Sequence, residues 1–284
     1  MIYLAASIVS SSLIFVVFRV AKSYQTRLAV LITINYFAAT LLGIILFSPL
    51  KSITPDTAAR WIPYAVLLGL LFILMFFVIG KSAQKAGITV TTLATKLSLV
   101  FPVAFSIIYF NEKLSALKML GIVLAIVAVA LTVYKKDLAR TKLSLAFLPL
   151  LIFVGSGMVD SLVKFVQATK IGTEEASQYA TLVFFVAFVC GLIFLLLSKQ
   201  FQVKFHPPTL VLGTLLGMVN FGSLYFLIQA LNKSAMASSL VFALNNMLIV
   251  ALSTLLGTMV FREKLNKINF AGILLALLSL YFLL

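Results

Sequence analysis

The sequence predicts an all-α membrane protein whose ten transmembrane helices form two five-helix repeats of inverted topology. The composition, the spacing of apolar runs and an internal repeat lead to this prediction. Of the 284 residues, 63% are hydrophobic and 10% are charged, whereas soluble domains average roughly 45–50% apolar and about 25% charged residues. The composition therefore excludes a water-soluble globule.

Ten apolar runs, bounded by charged residues, Pro or Gly, are long enough to cross a bilayer. A transmembrane helix needs about 20 mostly apolar residues, because the hydrocarbon core is about 30 Å thick. Ten such helices use about 200 residues and leave only short connections. The predicted helices are 2–18, 28–48, 61–80, 88–110, 117–134, 143–165, 176–197, 208–231, 235–260 and 267–284.

Each predicted helix ends where the chain turns polar, because charged side chains are costly in hydrocarbon and proline interrupts a helix. The connections are too short for a domain outside the membrane, so we expect the helices to pack as one antiparallel bundle. In chain order, the connections are 19–27, 49–60, 81–87, 111–116, 135–142, 170–175, 198–208, 231–235 and 262–267.

The basic excess, 22 Lys and Arg against 7 Asp and Glu, would suggest nucleic-acid binding in a soluble protein. Here the basic residues stand singly or in pairs between apolar runs, where they contact lipid headgroups and fix the orientation. We therefore expect the lipid bilayer to be a partner of this chain and nucleic acid not to be one.

An internal repeat relates the two halves of the chain. Residues 110–125 (FNEKLSALKMLGIVLA) and 261–276 (FREKLNKINFAGILLA) are identical at eight of sixteen positions, with an offset of 151. The repeats are predicted at 1–137 and 138–284, with five helices each, and because five is odd the second repeat enters the membrane from the opposite side. Secondary transporters commonly have this architecture, with a binding site near the membrane midplane between the repeats. A duplicated bundle without a transport role is the alternative.

Several motifs resemble those of a known family. Residues 86–87 (AG), 101–103 (FPV) and 111–114 (NEKL) look like the AG, LxPV and GERLS pattern of EamA-type members of the drug/metabolite transporter superfamily. Asn111 replaces the usual Gly, and 252–253 (LS) stands where Pro-Val is usual. The resemblance implies a multi-pass protein of the cell (inner) membrane that moves a small-molecule substrate such as an amino acid, a sugar or a drug.

The orientation in the membrane stays open between two expectations. The family resemblance implies cytoplasmic termini, which would place 14 of the 22 Lys and Arg in outside connections and 7 in inside ones. The positive-inside rule favours the reverse, with both termini outside. We give the charge count the greater weight, because it comes from this chain itself.

Lys96 lies near the centre of the predicted helix 88–110, where a charged side chain costs about 2.5–3.5 kcal/mol on insertion scales. We expect it to face a cavity and contact an anionic group of a substrate, or else to snorkel or pair structurally. Thr89 and Thr92 lie seven and four residues before it, on the same helix face.

Asp160 is the one acidic residue within a predicted helix, and together with Lys164 it is a candidate for proton coupling. The two residues are four positions apart and can pair on one face of the sixth helix. The alternative is that Asp160 only neutralises Lys164 near a helix end.

Uncharged polar residues recur in the second, seventh, eighth and ninth predicted helices, from both halves of the chain. They either bind a polar solute in a central cavity or tie helices together at about 0.6 kcal/mol each. Phe101 is expected to seal the solute. The predicted substrate-binding residues are Lys96, Thr92, Asn35, Tyr36, Tyr179, Asn220, Tyr225, Gln229, Asn245, Asn246 and Phe101.

Small residues mark predicted packing seams, because helix backbones approach closely where side chains are small. Glu112 and Glu263 stand where helices begin, and we expect them to cap the N-termini of the helices that follow them. The predicted seam residues are Gly121, Ala125, Gly213, Gly217, Gly272 and Ala276.

Catalytic chemistry has little material in this sequence, which has one His, one Cys and none of the common metalloprotease, hydrolase or phosphate-binding motifs. We therefore expect no enzyme activity, no metal and no cofactor. The leading hypothesis is a secondary transporter, with export as the expected direction, that moves a small polar or amphipathic metabolite by alternating access. A flippase for a lipid-linked carrier and, less favoured, an intramembrane lipid-modifying enzyme are the alternatives. Monomer and homodimer both stay open.

Overall fold

The chain is helical in every range that the computed structural model describes, namely residues 2–47, 55–109, 115–133, 144–171, 175–198, 206–233 and 238–282. The all-α prediction is therefore confirmed over these ranges. In chain order the helices are α1 (Ile2–Ser23), α2 (Leu28–Phe47), α3 (Pro55–Lys85), α4 (Ile88–Leu97), α5 (Val100–Tyr109), α6 (Ala116–Val133), α7 (Ser144–Thr169), α8 (Ala176–Leu197), α9 (Pro207–Lys233), α10 (Ser238–Met259) and α11 (Lys267–Phe282).

Seven helical stretches in the described ranges are long and apolar enough to cross a membrane, and α4 and α5 together count as one of them. Three shorter apolar stretches lie in α6, α10 and α11. These ten segments correspond to the ten apolar runs of the sequence, so the chain is a multi-pass integral membrane protein. That all ten segments cross the membrane, in two inverted repeats, stays a prediction.

The prediction of one continuous helix over 88–110 is wrong, because the helix is interrupted at Ser98 and Leu99, between α4 and α5. We call this interruption the break. Pro102 explains the break. It has no N–H to donate to the carbonyl of Ser98, and its ring would clash with that carbonyl in a regular helix. The Ser98 carbonyl instead accepts a hydrogen bond from the N–H of Phe101 at 2.9 Å, one residue earlier.

The helices group into two compact units. The first unit comprises Met1–Arg19, Val78–Asp160 and Gly222–Leu284, and the second comprises Val20–Phe77 and Ser161–Phe221. Each unit takes segments from both halves of the sequence, so each one depends on contacts between residues that are far apart in the chain. The boundaries of the two sequence repeats stay a prediction.

The core of the first unit forms where α6 and α11 pack closely along their small residues. Ala125 and Ala276 are fully buried, and Ser279 Oγ donates to the Gly121 carbonyl at 2.8 Å. The predicted seam between these two helices is therefore confirmed. The buried residues of this core are Leu93, Leu97, Val100, Ala125, Ala128, Val129, Phe153, Val250, Ile273, Ala276 and Leu280.

The second unit is built on α2, which packs against α8 and approaches α9 closely. A Cβ atom at Gly217 would lie 2.5 Å from the Asn35 carbonyl oxygen, and one at Gly213 would lie 2.8 Å from the Ile34 side chain. Only glycine permits α9 to come this near to the backbone of α2. The predicted seam at Gly213 and Gly217 is therefore confirmed.

Replacing Gly217 with Val should destabilise the second unit, because the added side chain would overlap the Asn35 carbonyl and Ala38. We expect the free energy of unfolding to fall by about 1–3 kcal/mol, which is measured as a lower midpoint of thermal unfolding for the purified protein in detergent. Met218→Val, at the adjacent exposed position, is the matched control and should leave the midpoint nearly unchanged. Equal midpoints for the two variants would contradict the close approach of α9 to α2.

Candidate functional site

The start of α4 is held by a carboxylate from the far end of the sequence. Glu263, in the connection between α10 and α11, accepts hydrogen bonds from the backbone N–H groups of Ile88 and Thr89. These N–H groups lack partners within their own helix, and negative charge is favourable at a helix N-terminus. Gly87, which precedes the helix, has a φ of 105°, and a Cβ atom there would lie 2.7 Å from Glu263 Oε1.

A cation binds the end of α3 at the same junction. Arg19 Nη1 donates to the carbonyls of Ala83 at 3.3 Å and Gln84 at 2.9 Å, in the last turn of α3. Positive charge is favourable at a helix C-terminus. The end of α3 and the start of α4 are therefore fixed by two side chains of opposite charge.

The expectation that Glu263 caps the helix after it is wrong. That helix is α11, and Asn266 and Asn269 cap it reciprocally. Asn266 Oδ1 accepts from the Asn269 N–H at 2.7 Å, and Asn269 Oδ1 accepts from the Asn266 N–H at 3.1 Å. This arrangement is a capping box, which satisfies two N–H groups at once, so α11 does not need Glu263. Glu112 lies outside the described residues.

α4 carries three of the polar residues that the sequence places on one face. The helix is unbroken from Ile88 to Leu97, so Thr89, Thr92 and Lys96 share a face. Thr89 and Thr92 are buried, and their hydroxyls have no hydrogen-bond partner among the described residues. Lys96 is half-buried in the last turn of α4, where the C-terminal end of the helix favours a cation.

α10 packs against α4 and brings further polar groups to the first unit. Asn245 is buried, and within the described part of the chain its side-chain oxygen has no hydrogen-bond partner. The hydroxyl of Ser253 shares this property, whereas Asn246 is half-buried. Buried polar groups in folded proteins nearly always have a partner, so these unpaired atoms are candidates for contact with a polar solute.

The break between α4 and α5 brings a serine to the acidic residue of α7. The buried Ser98 hydroxyl lies 3.0 Å from Asp160 Oδ2 and 2.6 Å from the Thr95 carbonyl oxygen. Lys96 is close enough to Asp160 for their charges to attract each other. Sequence reasoning did not assign Ser98 to the site. The signal that could have found it is Pro102, four residues later, which frees Ser98 from regular helix geometry.

The hydrogen bonds of Ser98 depend on the protonation state of Asp160. A serine hydroxyl has one proton, so it can donate fully to only one acceptor. The Thr95 carbonyl and an ionised Asp160 are both acceptors, and they compete for this proton. When Asp160 is protonated, its carboxyl group can donate to Ser98 while Ser98 donates to Thr95. The ionised form of Asp160 therefore shares the Ser98 proton with the Thr95 carbonyl and also faces the ammonium of Lys96.

Phe101, the residue expected to seal a solute, packs edge-on against Phe153 of α7, with 5.1 Å between the ring centroids. A Cβ atom at Gly157 would overlap the Phe101 ring, so α5 approaches α7 as closely as a glycine permits. Asp160 lies about one turn further along α7, and its side chain is exposed. The Phe101 contact therefore brings α7 to the break and leaves the carboxylate accessible.

Three of the predicted residues in the second unit tie helices together. Asn220 Nδ2 donates to Asn35 Oδ1 at 3.2 Å, which joins α9 to α2. The Tyr36 hydroxyl donates to the Phe72 carbonyl at 2.9 Å, which joins α2 to α3. Asn35 and Tyr36 are fully buried. Their contact with a substrate stays a prediction.

The remaining predicted residues lie on three helices. Tyr179 of α8 is buried and packs edge-on against Trp61, with 5.9 Å between the ring centroids. Lys164 is half-buried on α7, four residues after Asp160, and Tyr225 and Gln229 are half-buried on α9. The structure thus brings Lys96 and Asp160 together around Ser98. It gives the positions of Tyr179, Lys164, Tyr225 and Gln229 but does not show a site that these four residues share.

An interrupted membrane helix with charged side chains beside the interruption is a feature of many secondary transporters. Residues 1–134 match the model of the EamA-like transporter family. The family resemblance found in the sequence is therefore confirmed over this range.

Two relatives extend the comparison along the whole chain. An uncharacterized protein of Haemophilus influenzae is 28% identical over 281 residues, which cover 97% of this chain and 94% of that protein. A protein of known crystal structure, 13% identical, matches with a TM-score of 0.58 over 97% of this chain and 94% of its own. At that identity the second likeness shows a shared fold.

Replacing Glu263 with Ala should loosen the start of α4, because the N–H groups of Ile88 and Thr89 lose their acceptors. We expect the free energy of unfolding to fall by about 0.5–2 kcal/mol and amide hydrogen exchange at residues 88 and 89 to become faster. Glu263→Gln keeps one acceptor oxygen and should lose less. Lys267→Ala, an exposed position in the same region, is the control. Unchanged exchange at residues 88 and 89 in Glu263→Ala would show that the carboxylate does not cap α4.

Proposed function

We propose that the chain is a secondary transporter that moves a small polar or amphipathic metabolite across the membrane by alternating access. The observation that carries the proposal is the cluster of Lys96, Ser98 and Asp160 at the break between α4 and α5. Broken helices in secondary transporters supply helix ends and side chains for both the substrate and the coupling ion. The family match over residues 1–134 supports the same class.

Lys96 is the principal substrate contact in this proposal. Lys96 is half-buried and its ammonium group is attracted to Asp160, so an anionic group of a solute can compete with that carboxylate. Thr92 and Asn245 have buried polar atoms without a partner in the part of the chain that is described. They lie on α4 and α10, which pack together. These groups favour a small solute that has an anionic group and further hydrogen-bonding atoms.

Asp160 is the proton-coupling residue in this proposal. The groups that act on it are the ammonium of Lys96 on α4 and the hydroxyl of Ser98 at the break. Protonation of Asp160 removes the carboxylate that competes with an anionic solute for Lys96. A proton and an anionic solute are therefore expected to bind together. Export, the direction expected from the sequence, would then be driven by an outward gradient of the solute.

Lys96→Gln should lower transport at least about tenfold, since a hydrogen bond to a charged group contributes about 1.5–3 kcal/mol. The measurement is counterflow into proteoliposomes for a panel of radiolabelled amino acids, nucleosides, organic acids and lipid-linked sugars. Lys81→Gln, an exposed lysine of α3, is the matched control and should transport like the wild type. No counterflow of any solute would contradict the proposal, and movement of the lipid-linked sugars alone would favour a flippase.

Asp160→Asn should remove the pH dependence of transport, because the amide is neutral at every pH and no longer competes for Lys96. Wild-type binding of an anionic solute should strengthen as the pH falls and Asp160 is protonated, and the variant should bind at all pH values as the wild type does at low pH. Lys164→Gln tests the alternative in which Asp160 only neutralises Lys164. The coupling role is wrong if two results are obtained together. The first is that adding Lys164→Gln to Asp160→Asn restores the stability that Asp160→Asn alone loses, and the second is that transport by Asp160→Asn has the pH profile of the wild type.

A further inference from the structure

A cavity of about 350 Å³ opens in the first unit, and neither Ser98 nor Leu99 at the break between α4 and α5 lines it. It lies at the polar ends of the helices, between the end of α1, the junction of α3 with α4 and the connection before α11. Among the described residues, four cationic ones line it, against one carboxylate, that of Glu263. The cations are Arg19, Lys85, Arg262 and Lys264.

The carboxylate in the cavity does not neutralise its cations. Both oxygens of Glu263 accept N–H groups at the start of α4, so its charge is already offset by the helix N-terminus. Among the described residues, Lys85, Arg262 and Lys264 have no hydrogen-bond or ion-pair partner. Arg19 uses only Nη1 in its two bonds to α3, and its guanidinium group has further N–H donors.

The backbone around the cavity is fixed before any ligand binds. Arg262 has a φ of 52°, in the left-handed region that non-glycine residues rarely occupy. The surrounding structure holds this conformation, because the Glu263 N–H donates to the Gly257 carbonyl at 2.9 Å and the Glu263 carboxylate binds α4. Arg262 and Lys264 therefore stand on a turn that is held by these hydrogen bonds.

The lining combines these cations with apolar side chains, among them Val90, Phe261 and Leu265. A group with concentrated negative charge on an apolar body matches both parts of this lining. Basic pockets at the ends of membrane helices bind lipid phosphate groups in this way. We propose that the cavity binds a phosphate group, supplied either by the headgroup of an anionic phospholipid or by a soluble phosphate.

The test measures ligand-dependent stability of the full chain purified in neutral detergent. Phosphatidylglycerol, phosphatidylcholine and inorganic phosphate are titrated separately at constant ionic strength, and the midpoint of thermal unfolding is recorded. We expect saturable stabilisation by about 3 °C or more from phosphatidylglycerol or from phosphate. Stabilisation by phosphatidylglycerol assigns the site to a lipid headgroup, and stabilisation by inorganic phosphate assigns it to a soluble phosphate.

A pair of double variants links the effect to this cavity. Arg262→Gln/Lys264→Gln should weaken the response about tenfold or more in half-saturating concentration, since each basic residue contributes about 1 kcal/mol to binding an anionic headgroup. Lys81→Gln/Lys267→Gln removes the same charge from exposed positions that do not line the cavity and should respond like the wild type. No saturable stabilisation of the wild type, or equal weakening in both double variants, would overturn the proposal.

Discussion

The hydrogen bonds between Glu263 and the start of α4 are the constraint on which the rest of the site depends. They join residues 175 and 174 positions apart in the sequence, so they form only when the first unit is assembled. α4 carries Thr92 and Lys96, and it ends at Ser98. The position of each of these residues in the unit therefore follows from where the helix begins, and that point is set by Gly87 and the carboxylate of Glu263.

The break after α4 has a local cause and a distant consequence. Pro102 deprives the Ser98 carbonyl of its regular donor, and the carbonyl accepts from Phe101 instead. A continuous helix would satisfy the backbone without help from other elements. The broken one directs the Ser98 hydroxyl toward Asp160, and the close contact of Phe101 with Gly157 brings α7 near enough for that bond. The proline thus creates a polar site in a segment that is otherwise apolar.

The sequence was sufficient to predict the ten apolar segments, because apolar length and polar boundaries are local properties, but it did not predict the interruption between α4 and α5. It also predicted the seams at Gly121 and Gly217, since small residues have one common use between membrane helices. It could not predict which helix Glu263 caps, because that choice depends on the tertiary neighbour and not on the adjacent residues. For Asn35, the residue type left open both solute binding and a tie between helices, and only the structure shows the bond to Asn220.

The two carboxylates that act on α4 differ in what their surroundings allow. Glu263 accepts hydrogen bonds from two backbone N–H groups, which remain donors at every pH, so both of its carboxylate oxygens have a fixed partner. Asp160 faces a hydroxyl that donates or accepts and an ammonium that a solute can engage, so either of its protonation states finds a partner. The first arrangement suits a fixed anchor, and the second suits a residue whose charge changes during a cycle. In the proposed proton coupling, Asp160 and Lys96 beside the C-terminal end of α4 would change partners. Glu263 would meanwhile hold the N-terminal end of the same helix in place.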